Sequence, residues 1–217
     1  GSTPPSNIKS NNDLIPITPN QDPGKAEDEL DTYLLHFKDM KTHWARNEVE
    51  AMAELGIVNG NEQGDFNPND NVSRAEFAAM VTRTMGLEPT AYENSFFDVI
   101  DEDWYSGYVQ TVRSNDYMNG YDGLFNPHNA ITREEIAKVI VAAYNSKSNT
   151  KMQTGRSLYF NDIAEVSYWA YDYIAEAAEQ GFVNGVTEEL FAPKQYASRA
   201  QAVVMLKRVY DKLHPAE

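Results

Sequence analysis

Asn119-Gly120-Tyr121-Asp122-Gly123-Leu124-Phe125-Asn126-Pro127, followed five residues on by Thr132-Arg133-Glu134-Glu135, decides the fold because it occurs three times. Trp104 stands fifteen positions before Asn119, and the same spacing links Trp44 to Asn59-Gly60 and Trp169 to Asn184-Gly185. The Phe-x-Pro step returns as Phe66-Asn67-Pro68 and Phe191-Ala192-Pro193. The last tetrad returns as Ser73-Arg74-Ala75-Glu76 and Ser198-Arg199-Ala200-Gln201, with one residue of slippage in the middle copy. Each copy opens on an aromatic residue and an aspartate: Phe37-Lys38-Asp39, Phe97-Asp98 and Phe160-Asn161-Asp162. Self-similarity at this period is the mark of a repeat architecture, with units at 37–87, 97–146 and 160–213.

Inside a unit, Val49, Met52 and Leu55 follow Trp44 at helical spacing, and Gly56 sits where a C-terminal cap belongs. The Gly/Asn/Asp/Pro-rich run 59–71 predicts a structured loop whose Asn-Gly steps tolerate positive φ. Ser73 with Glu76, Thr132 with Glu135 and Ser198 with Gln201 each fit a capping box, in which two side chains satisfy orphan helix-terminal N–H groups. The apolar faces Phe77-Met80-Val81, Ile136-Val139-Ile140 and Val203-Leu206-Val209 predict second helices behind those caps. The fold class is therefore all-α: three helix-loop-helix repeats that cannot bury their apolar stripes singly and so pack about a pseudo-threefold axis as one domain. With their connectors, the repeats occupy 27–87, 88–146 and 147–217. Residues Glu27 to Leu35 are expected to add a helix turn or two. Residues 1–26, rich in Pro, Ser, Thr and Asn, read as a linker from an upstream module, and Gly1-Ser2 as a cloning scar.

Composition narrows the function. Eighteen basic against 33 acidic residues give a net charge of −15. The basic residues are scattered, so nucleic-acid binding and attraction to an anionic membrane are excluded. The absence of cysteine rules out a disulfide scaffold, cysteine zinc sites and thiol nucleophiles. No apolar run approaches the roughly 20 residues of a membrane span, so no membrane insertion is expected, and any export signal is expected to have been removed. His36, His43, His128 and His214 hold no repeated position, and no phosphate loop, nucleophile elbow or dinucleotide motif occurs. Asp65 to Glu76 imitates a calcium loop, but with Asp70 where glycine is needed and Pro68 inside. No metal, cofactor or catalytic residue is expected.

The candidate ligand-binding residues are the repeated ones. Arg74, Arg133 and Arg199 occupy first helical positions, where a cation is disfavoured by ~0.3–1 kcal/mol. Recurrence in all three units asks for a reason. Either each arginine folds onto an acid such as Asp70 or an aromatic ring, or its fork joins free backbone N–H groups and the neighbouring hydroxyl to capture a carboxylate or phosphate. Asn59-Gly60, Asn119-Gly120 with Tyr121, and Asn184-Gly185 have turn geometry as their first explanation, with close approach to a sugar as an added role. Trp44, Trp104 and Trp169 suit core packing first and carbohydrate stacking second. Asp39, Asp98 and Asp162 serve either as caps or as acceptors for sugar hydroxyls.

On these motifs the three units closely resemble S-layer homology modules, the tandem repeats that tether S-layer proteins and exocellular enzymes to Gram-positive cell walls. The resemblance covers 37–213 and is carried by the Ser/Thr-Arg-Ala-Glu signature and the Asn-Gly-Tyr-Asp-Gly-x-Phe-x-Pro loop. It implies a three-pronged bundle whose inter-repeat grooves bind secondary cell wall polysaccharide, commonly through a pyruvylated N-acetylmannosamine end. It implies a non-catalytic, secreted anchor at the cell wall or S-layer. The implied partners are a peptidoglycan-linked glycan bearing a pyruvate ketal and, through an upstream region, S-layer lattice neighbours. Two other classes compete: a calcium-dependent, dockerin-like protein-interaction module, and an acidic glycan hydrolase. The third unit departs from the pattern in Gly185-Val186-Thr187-Glu188-Glu189-Leu190-Phe191 and in Gln201. Grooves around Arg74 and Arg133 are therefore expected to bind best, and the Arg199 groove least. Because the chain as a whole repels an anionic polymer, added salt is expected to weaken binding only slightly.

Overall fold

The structure, a computed structural model, describes residues 36–215. Six helices carry it: α1 (Arg46–Glu54), α2 (Arg74–Thr84), α3 (Ser106–Ser114), α4 (Arg133–Ser148), α5 (Tyr171–Glu179) and α6 (Arg199–Leu213). Three-residue helical turns at Lys38–Met40, Ile163–Glu165 and Tyr168–Ala170 complete the described residues, which include no strand longer than an isolated bridge. The expected all-α class is what the described residues adopt. The predicted leading helix 27–35 and linker 1–26 lie outside the described residues.

The second helices start where the capping boxes place them. Ser73, Thr132 and Ser198 are N-caps whose hydroxyls accept from Glu76, Glu135 and Gln201 N–H, while those side chains accept from the N-cap N–H groups. The first helices have no side-chain cap. They end on a left-handed residue, Gly56 (φ 69°), Asp116 (57°) or Gly181 (76°). At the first of these, Ile57 N–H reaches back to Met52 O at 2.9 Å and Gly56 N–H to Ala53 O at 2.9 Å, the six-to-one and five-to-two pattern that satisfies orphan carbonyls.

Neither helix of a repeat packs mainly on its own partner. Helix α3 lies on α2, α5 on α4, and α1 on α6, so each prong joins the second helix of one repeat to the first helix of the next. Helix α6 also touches α2 and α4. Ala75, Phe77, Ala78, Ile136, Ala137, Ile140, Ala200, Ala202 and Val203 are all buried on these second helices. At the axis, Val72 N–H donates to Ala197 O (3.0 Å), Ala197 to Ile131 O (3.0 Å) and Ile131 to Val72 O (3.1 Å). These three residues, one before each N-cap, close a ring of backbone bonds that ties the repeats together.

The loops follow one plan. Phe37 packs at a tilt against Phe66 (centroids 5.2 Å), Phe96 against Phe125 (5.3 Å) and Phe160 against Phe191 (5.6 Å). The sequence register put Phe97 in this series; Phe96 takes the place, and Phe97 lies 87 % exposed over Gly123. Asn67, Asn126 and Ala192 hold φ of 56°, 58° and 57° at equivalent loop positions. A left-handed alanine is disfavoured by roughly 1–2 kcal/mol, whereas asparagine tolerates the region. Ala192→Asn is therefore expected to raise the stability by about 1 kcal/mol, read as a higher urea midpoint at unchanged m-value.

Candidate binding grooves

The three arginines are held in one way, and each serves the repeat after its own. Arg74 Nε donates to Phe125 O (2.8 Å), Nη1 to Glu135 Oε1 (3.0 Å) and Nη2 to Asn119 O (3.0 Å). Arg199 Nε donates to Phe66 O (2.9 Å), Nη1 to Glu76 Oε1 (2.6 Å) and Nη2 to Asn59 O (3.2 Å). Arg133 Nε donates to Phe191 O (2.8 Å) and Nη2 to Asn184 O (2.7 Å). Each guanidinium also lies 4.7–4.9 Å from the centre of the matching ring, Phe125, Phe66 or Phe191. Burial pulls the Arg74 guanidinium below its ordinary pKa, against the opposing pull of Glu135 and Asp98. Burial draws Arg133 down to about 10, with Asp162 opposing and Arg208 adding.

The backbone donors at these helix starts are not free. Arg74 and Ala75 N–H donate to Asn129 and Pro127 O, Arg133 and Glu134 N–H to Gln195 and Pro193 O, and Arg199 and Ala200 N–H to Asp70 and Pro68 O. The next N–H goes to the cap hydroxyl. The reading of an open helix N-terminus receiving an anion is corrected: the neighbouring loop already fills it. The arginines lie on aromatic rings, and the acids that pair with two of them are capping-box glutamates, not Asp70. The penalty for a cation at a helix start is offset by these bonds.

Asp39, Asp98 and Asp162 are neither helix caps nor open acceptors. Each carboxylate receives two successive loop N–H groups of its own unit at 2.7–3.0 Å: Phe66 and Asn67, Phe125 and Asn126, or Phe191 and Ala192. Gly60, Gly120 and Gly185 are not left-handed, contrary to the turn explanation. They admit close approach of chain to chain, as a Cβ on Gly120 would stand 2.2 Å from Leu124 O and 2.4 Å from a Phe96 ring carbon. Glu134, which replaces the alanine of the other tetrads, is buried and accepts from Ser167 N–H (3.0 Å), Ser167 Oγ (2.8 Å) and Lys194 Nζ (2.5 Å).

Trp44, Trp104 and Trp169 are 64 %, 60 % and 47 % exposed, so core packing is not their role. They precede the first helices, and the neighbours Ala45, Tyr105 and Ala170 occupy the core instead. Each tryptophan borders a groove of about 380–510 Å³. In groove I, Asn59-Gly60 and Glu76 meet Arg199 and Trp104. In groove II, Asn119-Gly120, Tyr121 and Glu135 meet Arg74 and Trp169. In groove III, Asn184-Gly185 and Gln201 meet Arg133 and Trp44. Every groove thus draws on all three repeats: a loop and second helix from one, an arginine from the preceding and a tryptophan from the following.

This arrangement removes the premise behind the expected ranking, that each arginine serves its own loop. The divergent third loop receives Arg133, and Arg199 serves the first. Ser73, Thr132 and Ser198 support the grooves from the helix caps. The sequence reading missed a second cation in each groove: Arg83 in I, Lys138 in II and Arg208 in III. Arg83 and Arg208 share a register, ten residues after the cap serine, which could have revealed them; Lys138 sits four residues earlier in that register and breaks it.

Residues 36–78, 95–137 and 159–203 match the S-layer homology domain family. The chain is 32 % identical over 176 residues to the exoglucanase XynX of Acetivibrio thermocellus, covering 81 % of this chain and 16 % of that enzyme. It is 29 % identical over 161 residues to a cellulosome-anchoring protein of the same species, 72 % of this chain and 36 % of the relative. An S-layer protein of Bacillus thuringiensis subsp. finitimus is 26 % identical over 166 residues, 76 % of this chain and 20 % of the relative. The chain therefore spans a minor part of each of these relatives. With three matched segments joined by a shared ring of backbone bonds and three equivalent grooves, this chain belongs to the S-layer homology domain family, a non-catalytic family of cell-wall anchoring modules.

Proposed function

We propose that this module tethers its parent protein outside the cell by binding an acidic secondary cell wall polysaccharide in the grooves, through a terminal pyruvylated N-acetylmannosamine. The observation that carries the reading is the composition of each groove: an exposed indole, the Asn-Gly backbone and two cations, on a chain whose net charge is −15. An indole face suits the C–H face of a pyranose. Guanidinium and ammonium groups suit the carboxylate that a pyruvate ketal adds. Scaffold bonds leave each arginine with N–H groups to spare, since a guanidinium has five donors.

Cosedimentation of the module with purified walls in the presence of a chelator tests this. Binding to native walls and loss of binding to walls whose ketals have been removed by mild acid are expected. Equal binding to both would overturn the proposed ligand. Loss on chelation alone would favour the calcium-dependent protein-interaction class instead.

A further inference from the structure

The grooves share a plan but not a charge. In groove I, Arg199 is paired with Glu76 at 2.6 Å, Asp70 also lines the wall, and Arg83 is held by Tyr108 Oη at 2.8 Å and by its ring at 4.9 Å. In groove II, Arg74 is paired with Glu135 at 3.0 Å, and Lys138 has no partner among the described residues. Groove III has two arginines and no acidic residue in its lining. Gln201 stands where the other grooves have glutamate, so the Nη1 donor that Arg74 and Arg199 give to a carboxylate has no such partner on Arg133. Arg133 as a residue is only 2 % exposed. Arg208 reaches only Phe182 O, at 3.4 Å, and, when the Asn184 amide is turned, that amide's oxygen at 3.1 Å. Asp162 favours the charge on Arg133 but does not line the groove, where no carboxylate stands.

A buried cation is costly unless its charge is well compensated; the lining of groove III adds no carboxylate to Asp162, whereas groove II adds Glu135 to Asp98 beside Arg74, and the groove offers the place where a second acid can arrive. We infer that groove III is the module's primary anion site, where the carboxylate of an acidic sugar takes the position that Glu76 and Glu135 hold in the other two grooves. This rests on the wall-glycan reading above and reverses the order suggested by the degenerate third loop. Ligand discrimination follows from it. Groove III selects for the acid group itself. Groove I, whose arginines are already engaged, depends more on hydroxyl, amide and stacking contacts.

The chain carries three tryptophans, one per groove, so each groove reports on itself. Indole N–H resonances of a ¹⁵N-labelled module, assigned with single Trp→Phe variants, are followed during titration with the methyl glycoside of pyruvylated N-acetylmannosamine and with its unpyruvylated counterpart. The Trp44 signal is expected to move at the lowest concentration of the acidic sugar. Gln201→Glu, which restores the side chain of the sister grooves and keeps the capping box, is expected to raise the Trp44 midpoint about tenfold and leave Trp104 and Trp169 unchanged. The reciprocal Glu135→Gln is expected to lower the Trp169 midpoint. The inference is overturned if Trp104 or Trp169 responds first, or if Gln201→Glu leaves the Trp44 midpoint where it was. Silence of all three indoles overturns the wall-glycan reading as well.

Discussion

Arg74→Ala is expected to lower the stability of the module by about 3 kcal/mol, before any effect on binding is considered. The side chain joins repeat 1 to the loop of repeat 2 through Phe125 O, Asn119 O and Glu135, with the Phe125 ring beneath it. Truncation leaves two carbonyls and a partly buried carboxylate without their donor, and the loss of a partner costs more than the net worth of the bonds. Arg74→Lys is expected to recover little, because an ammonium cannot serve three acceptors arranged for a planar fork. Urea denaturation followed by tryptophan emission measures this; a variant within about 0.5 kcal/mol of the parent, the range of ordinary surface substitutions, would show that the arginine is not a stitch between repeats. Any loss of wall attachment in an arginine variant must therefore be scored at a temperature where the variant is shown to be folded.

Gly120→Ala is expected to be comparably severe, about 3 kcal/mol at the upper end of overpacking effects, and to remove groove II. The added methyl would lie 2.2 Å from Leu124 O and 2.4 Å from the Phe96 ring. Neither neighbour can yield, since the carbonyl belongs to the short bridge in which Tyr121 and Leu124 exchange N–H donations at 2.9 and 3.0 Å. Gly64→Ala is the control. Gly64 is left-handed at φ 78° with nothing within 4 Å of an added Cβ, so only backbone strain of roughly 1–2 kcal/mol applies. Thermal unfolding of the two variants side by side separates steric exclusion from strain. Equal losses would contradict the close-approach account of the Asn-Gly steps.

Tryptophan shows where reading the chain alone goes astray. Trp44, Trp104 and Trp169 recur at one place in a helical pattern, and recurrence of a large apolar side chain is what a core produces too. Periodicity gives the angle of a residue around a helix axis. These three sit ahead of their α-helices, where the α-helical period does not apply, and they lie against a groove. The aspartates misled for a similar reason: their partners are loop N–H groups 27 to 30 residues away, beyond any cap or turn rule. Two adjacent phenylalanines, Phe96 and Phe97, offer two registers, and only the packing of Phe96 against Phe125 chooses between them.

Capping boxes, helix starts, the left-handed stop at Gly56 and the threefold repetition were legible because the interactions that cause them span a few residues, and those residues stand next to one another in the chain. The pairing of each arginine with the loop of the following repeat was not legible. Every unit carries a near-identical arginine and a near-identical loop, so local chemistry is equally content with any of the three combinations. Docking of α1 on α6, α3 on α2 and α5 on α4, closed by the ring of bonds among Val72, Ile131 and Ala197, selects one. That choice brings Arg133 to Gln201, and so leaves one groove of three with no carboxylate in its lining.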